Sequence, residues 1–127
     1  MAYTQIIILL AFIQYLFFAF RTGFTRPKYG IEAPKTSGHE IWERYNRVHL
    51  NTLEQLVVFV PSMFMFANVV SQTWGQVLGV IFLIARGAYS YLYVRNPKNR
   101  AFPPTFFVNV ILVVGSLIGI IVKLMHQ

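Results

Sequence analysis

The chain has 127 residues, 56% hydrophobic and 17% aromatic, with a net charge of +7, only 12% charged side chains and no cysteine. That apolar content excludes an intrinsically disordered chain. The missing cysteines exclude a disulfide scaffold, a thiolate-held metal and a cysteine nucleophile. The length allows one domain, 1–127. A hydrophobic yet basic chain is either a nucleic-acid binder or a membrane protein, and the placement of the charges decides between them.

Ala2 to Phe20 carries no charged side chain, ten charges crowd between Arg21 and Glu54, and Gln55 to Ala85 is again uncharged. Arg86 stands alone, Arg95, Lys98 and Arg100 form a basic cluster, and Ala101 to Val122 is uncharged. A bilayer core takes about 20 apolar residues per helix, so the first and last runs make one span each. The middle run is too long for one span and is broken by the polar stretch Asn68 to Gln76, which contains Gly75. The pattern predicts an all-α, integral membrane four-helix bundle, with helices at about 3–22, 42–68, 74–95 and 104–125.

The first run lacks the basic leader and the small-residue cleavage site of a signal peptide, so it is taken as a span. Loop one holds Pro27, Gly30, Pro34 and Gly38 and is expected to be irregular. Glu40 to Glu54 is polar but keeps helical spacing, which predicts an extension of helix two beyond the hydrocarbon. Thr36, Ser37 or His39 would lie near its cap, with Glu40 and Glu43 at the positive end of its dipole. Pro61 is expected to kink that helix, and Pro103 and Pro104 suit the first turn of helix four. Loops one and three hold nearly all the lysine and arginine, which sets both on the cytoplasmic face and both termini on the opposite one. Anionic headgroups account for part of that charge. Basic residues at the mouth of a bilayer leave no role for nucleic acid.

The polar residues within the spans form two faces. Arg44, Arg47, Asn51 and Glu54 are spaced 3, 4, 3 on helix two, and Arg86, Tyr89 and Tyr93 are spaced 3, 4 on helix three. Counted from their shared turn at 1.5 Å per residue, Glu54 is level with Tyr89 at roughly 22–24 Å, and Asn51 with Tyr93 at about 28 Å. Opposed, the faces make a polar cavity with Arg86 in reach of Glu54, Arg47 at the mouth and Arg100 arriving from loop three. One explanation is a salt-bridge network that merely holds two helices together. The other rests on excess charge: Arg44, Arg47, Arg86 and Arg100 meet one nearby carboxylate, Glu54, which calls for an anionic ligand whose carboxylates arginine grips in bidentate fashion. Asn51 and Glu54 would then serve an amide and an ammonium, and such a ligand is a small anionic peptide. Tyr89 and Tyr93 also fit the aromatic belt of a membrane protein. His49 fits a solvated or hydrogen-bonding histidine, and the three histidines lack metal-ligand spacing, so no metal is expected. Gly75, Gly79 and Gly87 form no phosphate loop.

The stretch WERYNRVHLNTLE at 42–54 resembles the helix-two signature of the MAPEG superfamily, the membrane-associated proteins of eicosanoid and glutathione metabolism. ARGAYSYLYVRNPKNR at 85–100 is similar to its leukotriene-synthase and microsomal glutathione transferase branch. The resemblance implies a homotrimer that binds glutathione at subunit interfaces near the cytoplasmic side. It implies that Arg47, Asn51 and Glu54 hold glutathione, that Tyr89 and Tyr93 complete that wall, and that Arg86 braces it. Arg100 matches the arginine credited with stabilising the thiolate, and Arg26 matches a loop-one arginine that reaches the site from a neighbouring subunit. His49 replaces a glutamine that contacts glutathione.

Gln55 stands where the leukotriene-synthase branch has an aromatic residue, and Arg26-Pro27-Lys28 replaces its adjacent arginines. Both departures favour a general glutathione transferase, or a glutathione-dependent peroxidase, over a narrow substrate. The expected partners are glutathione as co-substrate, a lipophilic electrophile or lipid hydroperoxide, and membrane lipid. The substrate is expected to enter along a greasy groove between helices one and four. A lipid-presenting scaffold of the same superfamily and a small four-helix transporter are the alternatives. Against the transporter, helix one has no acid and the cavity is rich in arginine.

Overall fold

The computed structural model describes residues 1–96 and 104–127. Lys98, Arg100 and Pro103 lie outside the described residues.

Four helices are long and apolar enough to cross a membrane. Helix α1 is Ala2–Phe24, α3 is Glu40–Val69, α4 is Gln72–Arg95 and α5 is Pro104–Met125. These match the four expected spans to within two residues at each end. The exception is α2, Arg26–Tyr29, a single turn in the loop expected to be irregular. Pro27 suits its first turn, where a missing N–H costs nothing. Gly30 ends it at φ 71°, a left-handed conformation that a Cβ would disfavour.

The polar start of α3 is helical from Glu40, as its spacing predicted. His39 is its cap, with Nδ1 accepting from the Ile41 N–H at 3.2 Å, while Glu40 and Glu43 occupy the first turn. The helix then runs on through Pro61. Val70 and Ser71 turn the chain, and Ser71 caps α4 by accepting from Trp74 N–H at 3.2 Å. The Met1 ammonium donates to Gln72 Oε1 at 3.1 Å, so the start of α1 and this turn share one end of the bundle.

α3 and α4 pack on each other and both hold α1 and α5, which flank the pair on separate sides. The larger core joins Ile7, Ile8 and Ala11 of α1, Leu56, Phe59, Met63 and Phe66 of α3, Phe82 of α4, and Val108 and Leu112 of α5. Phe59 and Phe82 stack at 3.9 Å between ring centroids. Close approach needs small residues: a Cβ on Gly79 would sit 2.7 Å from Ile7 Cγ2, and one on Gly115 2.7 Å from Phe66 Cε2. This is how helices pack in lipid, where dispersion contacts replace the hydrophobic drive. The outer surfaces of α1, α4 and α5 are apolar, with Leu9, Ile13, Ile84 and Leu117 more than half exposed.

Candidate functional site

The polar faces of α3 and α4 meet, and Arg86 is at their centre. The buried stripe of α4 runs through Gly79, Phe82, Arg86, Ser90 and Tyr93, so helical spacing alone carries Arg86 into the bundle, where it is 1% exposed. Its Nη1 donates to Asn51 Oδ1 at 2.9 Å and its Nη2 to Thr52 Oγ1 at 2.7 Å. A longer contact of 3.4 Å runs from Nη1 to Thr105 Oγ1 at the start of α5. One guanidinium thereby ties three helices. Its plane lies 4.4 Å from the Tyr89 ring centroid, and Tyr89 stacks on Tyr93 at 5.4 Å. Tyr93 is buried against Phe18 and Val48. Arg86 Nε is buried with no hydrogen-bond partner among the described residues.

This differs from the sequence expectation in its partner. Arg86 was expected to reach Glu54; it is held by Asn51 and Thr52 instead. The depth count could not see that Asn51 and Thr52 lie on the side of α3 that meets Arg86 of α4. Glu54 is exposed on the other side of that face. It lines a groove of about 340 Å³ with Gln55 and Val58 of α3 and Phe106, Asn109 and Val110 of α5. Arg47 is also exposed, two helical turns from Glu54 toward the basic end. The single ion pair among the described residues is Arg44 to Glu40, at 2.7 Å within α3.

Arg26 and His49 stand apart from the Arg86 cluster. Arg26 Nη1 donates to Lys35 O at 2.7 Å and its guanidinium covers Trp42 at 4.7 Å, which organises the first loop. Trp42 is fully buried and donates to Thr22 O at 3.0 Å. His49 faces α1, where Nε2 shares a 3.1 Å hydrogen bond with the Tyr15 hydroxyl. The hydrogen-bonding role expected for this histidine is thus observed. Arg100, the expected catalytic residue, lies outside the described residues. Among the described residues no His, Asp or Glu cluster could hold a metal ion.

Sequence spacing does not single out Thr52, Thr105, Asn109 or Arg21, which the structure places in interhelical hydrogen bonds. Asn109 Nδ2 donates to Gln55 Oε1 at 2.8 Å and to Gln55 O at 3.2 Å, joining α5 to α3. The one amide in the fourth span was the available signal, since a polar group in lipid needs a partner. The threonines gave no signal, because threonine is common in spans and bonds its own backbone.

Apolar grooves run between α1 and its neighbours. A groove of about 440 Å³ lies between α1 and α3, lined by Phe12, Tyr15, Leu16, Leu53, Val57 and Pro61 among others. A second, of about 540 Å³, lies between α1 and α4 around Tyr3, Ile7, Gln76 and Val80.

Fold and site together define a multi-pass membrane helical bundle with a buried arginine at its polar centre. The family model described as MAPEG family matches residues 4–122, and the chain belongs to that family of membrane four-helix bundles. A Synechocystis relative, "Uncharacterized protein sll1147", is 38% identical over 117 residues, covering 91% of this chain and 85% of its own length. Microsomal glutathione S-transferase 2 of Bos taurus is 29% identical over 87 residues, 68% of this chain and 60% of that protein. The Mus musculus protein of the same name is 32% identical over 92 residues, 72% of this chain and 63% of that protein. The match therefore spans less than two thirds of either transferase.

Proposed function

We propose that this protein is a membrane-bound glutathione transferase that activates the glutathione thiolate for attack on lipophilic electrophiles. The observation that carries the proposal is the Arg86 cluster: a fully buried guanidinium, fixed by Asn51 and Thr52, backing a wall of Tyr89 and Tyr93. The named transferases among its relatives support the same class. Arg47, Asn51 and Glu54 would hold the carboxylates, amides and ammonium of glutathione, and Arg86 would brace the wall behind them. Arg26 and His49, which stand away from that wall within one chain, would contribute to the site of a neighbouring subunit.

Exposure of Glu54 supports a homotrimer with glutathione at the subunit interfaces. A charged carboxylate on the outer face of a spanning helix costs roughly 2.5–3.5 kcal/mol at mid-membrane, and a second copy together with an anionic ligand bearing an ammonium would cover it. The lysine and arginine distribution supports cytoplasmic loops one and three.

The chain has no cysteine, so the reacting sulfur arrives with the ligand. A free thiol has a pKa of about 8.5 and is only slightly ionised at neutral pH. Lowering it by about two units requires about 2.7 kcal/mol of preference for the anion, which one guanidinium at hydrogen-bond range in a partly desolvated site supplies. Arg100 would be that guanidinium. The thiolate sulfur attacks an electrophilic carbon, a thioether bond forms, the leaving group departs with the electron pair, and the thiol proton passes to water. A lipid hydroperoxide in the same position would be attacked at its terminal oxygen: the S–O bond forms as the O–O bond breaks, the lipid alkoxide leaves and takes a proton, and a second glutathione reduces the sulfenic acid to the disulfide and water.

The test is turnover of glutathione with a chloronitrobenzene acceptor by the purified protein in detergent. Protein-dependent conjugation is expected, with Arg100→Ala lowering it about 100-fold, the equivalent of those two units, while glutathione-dependent thermal stabilisation remains. No turnover and no stabilisation by glutathione would overturn the assignment, and full activity in Arg100→Ala would remove Arg100 from its role.

A further inference from the structure

An arginine-lined groove lies between the C-terminal ends of α1 and α4. It has a volume of about 330 Å³ and is lined by Arg21 of α1, Tyr45 of α3, and Ser90, Tyr91, Val94 and Arg95 of α4. Arg21 is in the last turn of α1 and Arg95 in the last turn of α4, so the groove opens at the basic end of the bundle, at the edge of the spans.

Its two arginines are pre-set. The Arg21 guanidinium sits 4.6 Å from the Tyr45 ring centroid and 5.1 Å from that of Phe18, and its Nη2 donates to Ser90 Oγ at 2.9 Å. Arg21 Nε is buried with no hydrogen-bond partner among the described residues. Arg95 lies 4.2 Å from the Tyr91 ring centroid. Arg44 donates to the carbonyl of Val94, one of the lining residues, at 3.0 Å, and its Nε is buried with no hydrogen-bond partner among the described residues. Among the described residues the one carboxylate that these three arginines meet is Glu40, on Arg44.

Positive charge held this way, without a matching acid, favours an anion. Guanidinium groups bind phosphate oxygens in bidentate fashion, and donors converging from separate helices suit a tetrahedral group better than a planar carboxylate. At the edge of a membrane span the abundant phosphate is that of a lipid headgroup. We propose that this groove is a phosphate site that holds an anionic lipid headgroup between α1 and α4, separate from the Arg86 cluster.

Native mass spectrometry of the purified full chain tests the proposal, with phosphatidylglycerol and phosphatidylcholine of matched acyl chains offered in equal amounts. Retention of phosphatidylglycerol over phosphatidylcholine by about tenfold is expected. Arg21→Gln and Arg95→Gln should each lower that preference about fivefold, the equivalent of one headgroup-level cation. Arg95 is exposed, so its variant keeps the test valid even where Arg21→Gln disturbs folding. Lys28→Gln removes the same charge from the first loop and should leave the preference within about twofold, as expected once a built site replaces diffuse attraction. Excess inorganic phosphate separates the sources. Failure to displace the lipid assigns the site to a headgroup, whereas displacement together with thermal stabilisation in lipid-free detergent assigns it to soluble phosphate. Equal retention of both lipids with no stabilisation by phosphate would overturn the proposal. So would a preference that survives Arg95→Gln, or one that Lys28→Gln lowers as much.

Discussion

The two ends of the bundle are held together by different physics. Toward the Met1 end, α1, α3 and α4 approach closely over glycine: Gly79 has Ile7 and Met63 against it, and Gly75 has Phe66 and Ala67. Toward the basic end, the same three helices are joined by directional contacts. Thr22 Oγ1 donates to Tyr45 O, Trp42 donates to Thr22 O, Arg21 donates to Ser90, and Arg86 donates to Asn51 and Thr52. Since lipid tails are as apolar as leucine, glycine packing suffices to associate helices there. The polar end therefore exceeds what association needs. Groups of that kind inside a span are costly and mark function, which is why the candidate sites are both at that end.

Substitutions can break this contrast in order of effect. The largest is expected for Arg86→Leu, which strands the Asn51 and Thr52 acceptors in the bundle. At about 1–3 kcal/mol for each unsatisfied group, the loss is roughly 3 kcal/mol in a thermal or denaturant melt in detergent, together with loss of glutathione-dependent stabilisation. Arg86→Lys should recover only part of it, because an ammonium is a point charge and cannot serve both acceptors as the guanidinium fork does. A wild-type melt for Arg86→Leu would show that the polar end contributes nothing to stability.

Gly79→Ala probes the opposite end. Its new methyl must displace Ile7 or Met63, an overpacking that costs about 1–3 kcal/mol. Glutathione-dependent stabilisation should persist, because the contact is at the far end from Arg86. A melt equal to wild type would mean that α1 moves aside at no cost.

Asn109→Leu removes the tether to Gln55 and leaves the Gln55 side-chain amide without that partner. Interhelical hydrogen bonds in membranes average about 0.6 kcal/mol, so a shift of that size is expected, and one above about 2 kcal/mol would place Asn109 in the same rank as Arg86. The smallest effect belongs to Tyr15→Phe, which deletes the hydroxyl bonded to His49 while keeping the ring stack at 5.2 Å. About 0.5 kcal/mol or less is expected in the same melt, with a larger loss showing that the pair anchors α1.

Most of the fold was legible because a membrane constrains it. Charge-free runs of span length had to be helices, since no other open structure satisfies its backbone in lipid. The short helix α2 was missed because four residues carry no periodicity. At the site, spacing put Arg86, Tyr89 and Tyr93 on one face of α4 and picked out Asn51 of α3, but Arg47, which shares that spacing, is exposed. Spacing erred on Glu54, because two helices rotated by a fraction of a turn exchange which neighbour meets the arginine.

The sequence by itself determined the class of molecule, its four spans, their polarity along the chain and the arginine surplus at one end. These follow from local composition and from the length of a bilayer crossing. Tertiary structure alone decided the partners: Arg86 with Asn51 and Thr52, His49 with Tyr15, Arg21 with Ser90, and Glu54 turned outward. Such pairs join residues at least 34 positions apart, and they depend on the rotation and depth of each helix against its neighbours. Those are set by close packing over glycine and by buried hydrogen bonds, which no single helix encodes.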